Sequence, residues 1–472
     1  ARRRRVATRN PGPARGGRLD VGESPRATKN ELDFPQMIRA TTFAGKTVAV
    51  FGLGGSGMLA VRALLEGGAK VAAWDDSEAG RAAAAQAGAP LADLAQADWS
   101  RFAALILAPG VPLTHPEPHW IVVKAKAAGV EIVGDIEIFA RERQAHAPHA
   151  PFIAITGTNG KSTTTALTAH ILRHAGYDVE MGGNIGRAIL SLEPAAERRF
   201  HVVEMSSFQI DLTPTLAPTV GVLLNVTADH IDRHGTIANY AAVKERLVAG
   251  ASIAAIGIDD DYCRQILKRR IGRGPAVAFS ARRPLAPGYS VLANEIVCAN
   301  REGLAVKLGN LTGITTLRGA HNAQNALAAV AAVRETLNAL GLPTDLDWQG
   351  ALASFAGLPH RLEEIARRAN VIFINDSKAT NADSTEKALL AFPRDIYWIV
   401  GGKPKEGGIA PLAELFPRLA KAYLIGESAD DFAVTLDGRA AFEINGTLDR
   451  AVARAAADAA RSGAREAVVL LS

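Results

Sequence analysis

At 472 residues with 48% hydrophobic side chains, the chain has room for about three domains of ~150 residues, each with its own core. No apolar run approaches the ~18 residues a membrane span needs, which excludes membrane insertion, and two cysteines, Cys263 and Cys298, are too few for a disulfide framework and match no metal-ligand spacing. The net charge of +5 does not mark a nucleic-acid binder: residues 1–30 carry eight Arg and one Lys against Asp20 and Glu23, a net of +7, so the rest of the chain sums to −2.

Residues 1–36 are rich in Pro, Gly and charge with almost no apolar periodicity, and a disordered basic tail is expected there. Met37 stands just before the first regular text and is a plainer start for the folded protein. From Lys46 the sequence predicts a strand over Thr47 to Phe51, a turn through Gly52, Gly54, Gly55, Ser56 and Gly57, a helix, and a second strand ending at Asp75. This is a GxGxxG fingerprint with an acid about 20 residues on, in which backbone approaches a pyrophosphate and the acid accepts from a hydroxyl or N–H. A nicotinamide-dependent oxidoreductase would use it, and so would any protein that holds a nucleoside diphosphate. A strand over Ala103 to Ala108 and the run Val130 to Ile138 close a first α/β domain, residues 37–140.

The second domain, residues 141–358, opens on PFIAITGTNGKSTTT from Pro151. An apolar β-rich run breaks into a glycine turn and then a helix up to Gly176: strand, phosphate loop, helix. Gly157 and Gly160 let backbone N–H groups turn around an anion, the helix start adds its positive dipole end, and Lys161 supplies a mobile charge. Ser162 and Thr163 put hydroxyls where a magnesium ion would sit. The loop is a short variant of GxxxxGK[ST], because Ile155 stands where the first glycine would be. Gly182, Gly183, Asn184 and Gly186 read as a flexible turn; Phe200 to Val203 leads to Glu204, and Thr219 to Leu224 leads to Asp229 and His230. Ligands in parallel α/β sheets sit outside the carboxyl ends of strands, so these groups should meet at one edge as a metal–nucleotide site. Glu204 as a helix cap and His230 as a packed histidine are the plainer alternatives. A helix over Tyr240 to Leu247 contains Lys244, and short runs from Ala276 to Leu317 predict a small β subdomain. Asn322 and Asn325, one helical turn apart after Gly319, can read an adenine ring, although Asn322 also suits a helix cap.

A third, doubly wound Rossmann-like domain, residues 359–472, is expected from strands at Val371 to Ile374, Ile396 to Val400, Tyr423 to Ile425 and Ala467 to Leu471. Its strand ends carry NDSKATN (Asn375 to Asn381) and GGKPKEGG (Gly401 to Gly408), the latter an anion-binding or a merely solvated loop.

With a nucleotide fold in front and then GTNGKST, DHIDRH, GAHNAQN, GLPHRLE and NDSKATN in that order, the sequence from Phe43 onward resembles the Mur ligases of peptidoglycan synthesis. NDSKATN after GLPHR is similar to the members that add D-glutamate. The resemblance implies ATP-dependent amide-bond formation through an acyl phosphate, with ATP and Mg²⁺ as cofactors, UDP-N-acetylmuramoyl-L-alanine and D-glutamate as partners, no nucleic acid, a cytoplasmic location and a monomer. It also implies roles. Gly157, Thr158, Asn159, Gly160, Lys161, Ser162 and Thr163 would hold the phosphates, Asn322 and Asn325 the adenine, Asp376 the ribose and Arg361 the phosphates again. Ser162, Glu204, His230 and Lys244, the last as a carbamate, would serve magnesium. Lys378, Thr380 and Lys405 would face D-glutamate; Gly54, Gly55, Ser56, Gly57, Asp75 and Asn184 would hold the UDP-linked substrate. The catalytic set is Lys161, Glu204, His230, Lys244 and Lys378. The family's strand at Ala467 to Leu471 continues into a further segment that is expected to help hold D-glutamate, so weak D-glutamate binding is expected of a chain ending at Ser472. A Mur-type ligase for another amino acid, an oxidoreductase and a phosphate-loop switch remain as alternatives.

Overall fold

Three sheets, one parallel and two mostly parallel, organise the described residues, and each contains a run in which successive side chains enter different cores. In Thr47–Phe51, Val48 and Val50 join one buried cluster while Ala49 and Phe51 join another. In Phe152–Thr156, Ile153 and Ile155 face one cluster and Phe152 and Ala154 the other. A strand apolar on both faces belongs inside a helix-covered parallel sheet. The computed structural model describes residues 37–403 and 407–472, so the expected basic tail and Lys405 lie outside the described residues.

The first sheet comprises β1 (Thr47–Phe51), β2 (Lys70–Trp74), β3 (Ala104–Leu107) and β4 (Glu131–Val133), all parallel, in the order β2-β1-β3-β4. Helix α1 (Gly55–Glu66) follows the glycine turn. The run Val130 to Ile138 is not continuous: Gly134 ends β4, and α2 (Asp135–His146) begins at once. That helix runs across the expected domain limit at residue 140.

The second sheet contains β5 (Phe152–Thr156), β6 (Asp178–Gly183), β7 (Arg199–Glu204), β8 (Val220–Leu223), β9 (Ile253–Gly257), β10 (Ala276–Ser280), β11 (Gly288–Leu292), β12 (Glu295–Ala299) and β13 (Ala305–Asn310). Their order is β13-β12-β11-β10-β9-β8-β5-β7-β6. The strands expected as a small β subdomain thus extend the same sheet, turning antiparallel from β11 to β13. Gly182 and Gly183, expected in a turn, close β6 instead. Helices α3 (Lys161–His174), α4 (Ile237–Gly250) and α5 (Ala320–Ala339) cover this sheet. Ala326 to Val333 of α5 are all buried, and their small side chains let α5 lie close against α3.

The third sheet is ordered β14-β15-β19-β16-β17-β18, with β14 (Glu363–Arg368) antiparallel and β15 (Val371–Asn375), β16 (Ile396–Gly401), β17 (Leu419–Ile425), β18 (Phe442–Gly446) and β19 (Ala467–Leu471) parallel. Helix α6 (Ala382–Leu390) follows the NDSKATN segment, capped by the Asn381 side chain. Among the described residues no helix is long and apolar enough to cross a membrane.

Candidate active site

The phosphate loop leaves β5 after Thr156 and enters α3 at Lys161. Gly160 caps that helix at φ +84°, and a Cβ there would lie 2.1 Å from Asn325 Oδ1, so the position admits only glycine. The loop is braced from the end of β8. Asn225 accepts from Thr158 N through its carbonyl and from Asn159 N through Oδ1, each at 2.9 Å, and Thr158 Oγ1 donates to the Thr227 carbonyl at 3.2 Å. Both lie in NVTADHIDRH after β8, a polar strand end from which the spacing singles out only Asp229 and His230. Lys161 Nζ donates to the carbonyls of Gly157 (3.0 Å) and Thr158 (2.6 Å), and burial lowers its pKa against the pull of Glu204 and Asp229.

Beside the loop the carboxyl edge gathers Glu204, Lys244 and Asn184. Glu204 ends β7 fully inside the protein; its Oε1 accepts from Asn184 Nδ2 at 2.8 Å, and its Oε2 is buried without any hydrogen-bond partner. Asn184, expected at the UDP-linked substrate, is therefore tied to this carboxylate, with its N–H on the Glu204 carbonyl at 3.0 Å. Lys244 is 1% exposed, donates to Thr156 Oγ1 (3.2 Å) and the Gly157 carbonyl (2.9 Å), and lies 4.5 Å over the Tyr240 ring. Burial, followed by the charge of Lys161, drives its pKa well down. His230 sits at φ +54° with its imidazole half exposed, 3.5 Å from Asp229 and edge-on to Phe208. An orphaned buried carboxylate oxygen is what a bound cation would satisfy, so Glu204 fits a magnesium ion. Among the described residues no three His, Cys, Asp or Glu side chains converge on one point, which leaves hydroxyl and ligand oxygens to complete a coordination shell. Ser162 Oγ, one such hydroxyl in the motif, receives an N–H from Arg361 at 3.4 Å.

A cleft between the second and third sheets collects Asn159, Gly160, Thr163, Asn322, Asn325, Arg361 and Asp376. Asp376 accepts from Leu362 N (3.0 Å) and Ser472 Oγ (3.2 Å), and burial raises its pKa to about 6. His321 and Lys387 also line the cleft; burial, then the Lys387 charge, lowers the His321 pKa to about 4. His321 lies within GAHNAQN and could have been read there. Lys387 pairs with Asp383, which also receives the Asn159 amide, and no motif signals either residue. A separate cavity of about 260 Å³ at the strand ends of the third sheet is lined by Thr380, Lys403 and Ser472. Lys378 is exposed and does not line it.

In the first sheet the glycine turn is as tight as its spacing implies: a Cβ on Gly57 would stand 1.8 Å from the Gly52 carbonyl oxygen, whereas Gly54 and Gly55 border open space. Asp75 braces this turn, its Oδ2 accepting from Leu53 N (2.6 Å) and its Oδ1 from Ser77 N (2.8 Å). Next to it Asp76 receives Trp120 Nε1 at 3.1 Å and meets His119 Nε2 at 2.9 Å, a polar rim the sequence reading missed.

Residues 155–333 match the Mur ligase middle domain and residues 360–472 the Mur ligase glutamate ligase domain. The chain is also 60% identical to UDP-N-acetylmuramoylalanine–D-glutamate ligase of Nitrobacter hamburgensis, over 92% of this chain and 93% of that one. The chain belongs to the Mur ligase family. The enzyme of the same name from Brucella abortus (strain 2308) is 56% identical over 92% of each chain. Among solved structures, a MurF from Acinetobacter baumannii superposes at TM-score 0.55 with 17% identity, covering 93% of this chain and 96% of that one. UDP-N-acetylmuramate-alanine ligase MurC of Thermotoga maritima does so at 0.54 with 20% identity, covering 90% and 94%. At those identities the likeness concerns the fold, which is the Mur ligase arrangement of α/β parts anticipated from the motifs. As a Mur ligase the chain is an ATP-dependent amide-bond ligase, and the glycine fingerprint of its first sheet does not make it an oxidoreductase.

Proposed function

We propose that this Mur ligase joins the amino group of D-glutamate to the carboxyl group of UDP-N-acetylmuramoyl-L-alanine in the cytoplasm, at the expense of ATP, as a step of peptidoglycan synthesis. The observation that carries the reading is identity of 56 to 60% to enzymes of that name along 92% of the chain. A carboxylate is a poor electrophile at neutral pH, so one of its oxygens first attacks the γ-phosphorus of ATP and ADP leaves. The amine then attacks the resulting acyl phosphate, loses a proton, and inorganic phosphate departs. Such chemistry needs charge held in place more than it needs a protein nucleophile.

In this reading the loop from Gly157 to Thr163 cradles the phosphates, and Lys161 exchanges its two loop carbonyls for phosphate oxygens. Asn322, Asn325 and Asp376 take the nucleoside, with Arg361 over the phosphates. Ser162 and Glu204 would hold magnesium, and His230 and a carbamylated Lys244 a second ion; the metal would neutralise charge on the transferring phosphoryl group. Thr380 and Lys378, with Lys405, would meet D-glutamate, and Gly54 to Gly57 with Asp75 the UDP moiety. Domains at 37–140, 141–358 and 359–472 would carry these roles, with α2 continuing past the first limit to His146 and the nucleotide held between the second and third.

The test is phosphate release with ATP, magnesium and UDP-N-acetylmuramoyl-L-alanine across a panel of D- and L-amino acids. Release is expected with D-glutamate alone. Release without any amine, or with a different amino acid, would overturn the assignment.

A further inference from the structure

The two amides assigned to the base are held by a residue whose other end leaves the pocket. Asn322 Nδ2 donates to the Arg318 carbonyl at 3.0 Å, and Asn322 Oδ1 accepts from Asn325 Nδ2 at 3.0 Å. Asn325 Oδ1 accepts from Thr164 Oγ1 at 3.3 Å on the first turn of α3 and lies against Gly160 of the phosphate loop. Gly319, at φ +92°, turns the chain so that the Arg318 carbonyl points back at Asn322. The Arg318 guanidinium goes the opposite way. It lies 5.0 Å over the ring of Phe392 and donates to Glu466 Oε1 at 3.3 Å, while Arg367 donates to Glu466 Oε2 at 3.3 Å. Phe392 follows α6 and Glu466 immediately precedes β19, so both belong to the third sheet's layer. One residue is thus bonded through its carbonyl to the amides beside the phosphate loop and through its side chain to the part of the protein that must cover the nucleotide.

We propose that Arg318 is a positioning residue that sets the Asn322–Asn325 pair in register for ATP only when the third sheet's layer is docked through Glu466 and Phe392. The inference rests on the nucleotide reading of that cleft. Helix α5 fixes the Cα positions of both residues, so what remains to be set is side-chain rotation: Asn322 is oriented by the Arg318 carbonyl, and Asn325 by Asn322 and Thr164. When the guanidinium loses its partners, the Arg318 carbonyl is held only by the backbone bonds of its own turn, and a small displacement of it lets the amides rotate. Side-chain exposures of 29% for Arg318 and 43% for Glu466 make the ion pair a weak one, so with the stacking on Phe392 the expected loss of ATP affinity is roughly 3- to 10-fold rather than complete.

The experiment measures ATP and UDP-linked substrate affinities by titration for the wild-type chain, Arg318→Ala, Arg318→Lys, Glu466→Gln and the double variant Arg318→Ala/Glu466→Gln, each with its melting temperature. Arg318→Ala and Glu466→Gln should weaken ATP by that factor and leave the UDP-linked substrate unchanged. Arg318→Lys should fall between, keeping the charge but losing the planar stacking. The double variant should be no weaker than Arg318→Ala, because that change already removes the Arg318–Glu466 pair and the remaining Arg367–Glu466 bond does not reach the amides. Wild-type ATP affinity in both single variants would overturn the inference, as would an equal loss for both ligands that follows the melting temperature. A wild-type chain that binds no ATP would overturn the nucleotide reading as well, which separates the two failures.

Discussion

At the scale of single residues, Lys244 stands out in the site as a cationic side chain that is almost wholly buried. A lysine inside the protein, next to Lys161, has its pKa driven well down by burial and then by the Lys161 charge, so it gives up its proton more readily than a surface lysine. Only the neutral amine reacts with carbon dioxide to give a carbamate, and that reaction replaces a cation by an anion. Two unit charges at about 4 Å interact by about 4 kcal/mol at an effective dielectric of ~20, so in the proposed reading a carbamate at Lys244 would favour the second metal ion where an ammonium would oppose it. Lys244→Ala should lose most turnover, and millimolar acetate or formate should restore part of it by returning an anion to the space. Phosphate-release rates with and without the added acid check this, and an unrescued variant with a native circular dichroism spectrum would reduce Lys244 to a packing residue. The places of Lys161, Glu204 and Asn325 were legible, the first two from loop spacing and a strand end and the third from its helical spacing after Gly319. Asn225, Thr227, Asp383 and Arg318 were not, because each acts through a main-chain atom or a partner more than 60 residues away, and neither leaves a local pattern.

Among elements, those with two apolar faces were read nearly to the residue: β1 was expected over Thr47 to Phe51 and is found there. Edge elements were harder. β14 (EEIARR) and β18 (FEING) carry polar side chains and short lengths, and their identity as strands comes from pairing with β15 and β17 rather than from composition. The start of α2 was hidden for a different reason, since Ile136 and Ile138 continue the alternation of β4 across Gly134 and only the buried Ile136, Phe139 and Ala140 face reveals the helix. The β1–α1 turn supports a prediction at this scale. Gly57→Ala forces a Cβ to within 1.8 Å of the Gly52 carbonyl, so the turn must open, at a cost of about 1 to 3 kcal/mol. Affinity for the UDP-linked substrate should fall by roughly 5- to 100-fold with ATP affinity unchanged, read by titrating each ligand separately. Loss of ATP binding instead would detach the glycine fingerprint from the UDP moiety.

For the whole molecule, the first and second sheets share a core, since Val48 and Val50 pack in the same cluster as Phe152 and Ala154. One polar link between them is Glu137 on α2, wholly buried, which accepts from Arg141 Nε (2.8 Å) on its own helix and from Thr215 Oγ1 (2.8 Å) and Thr215 N (3.0 Å). Glu137→Ala strips three donors of their acceptor and should cost about 2 to 3 kcal/mol. A lower melting temperature and faster hydrogen exchange around Thr215 are the expected readings, with Glu137→Gln losing less; an unchanged exchange pattern would show that the junction is held by the apolar core and its other hydrogen bonds, Gly134 N to the Leu212 carbonyl among them. The third sheet has a different weakness, which arises from where β19 lies. That strand is inserted between β15 and β16, pairing Val371 to Asn375 on one side and Ile396 to Ile399 on the other. During synthesis both of those strands leave the ribosome some 65 residues or more before their common neighbour, and until it arrives each presents an unpaired, aliphatic edge. Over that interval the third sheet lacks the strand that joins its two halves, β14-β15 and β16-β17-β18, and it is continuous only once β19 lies between them.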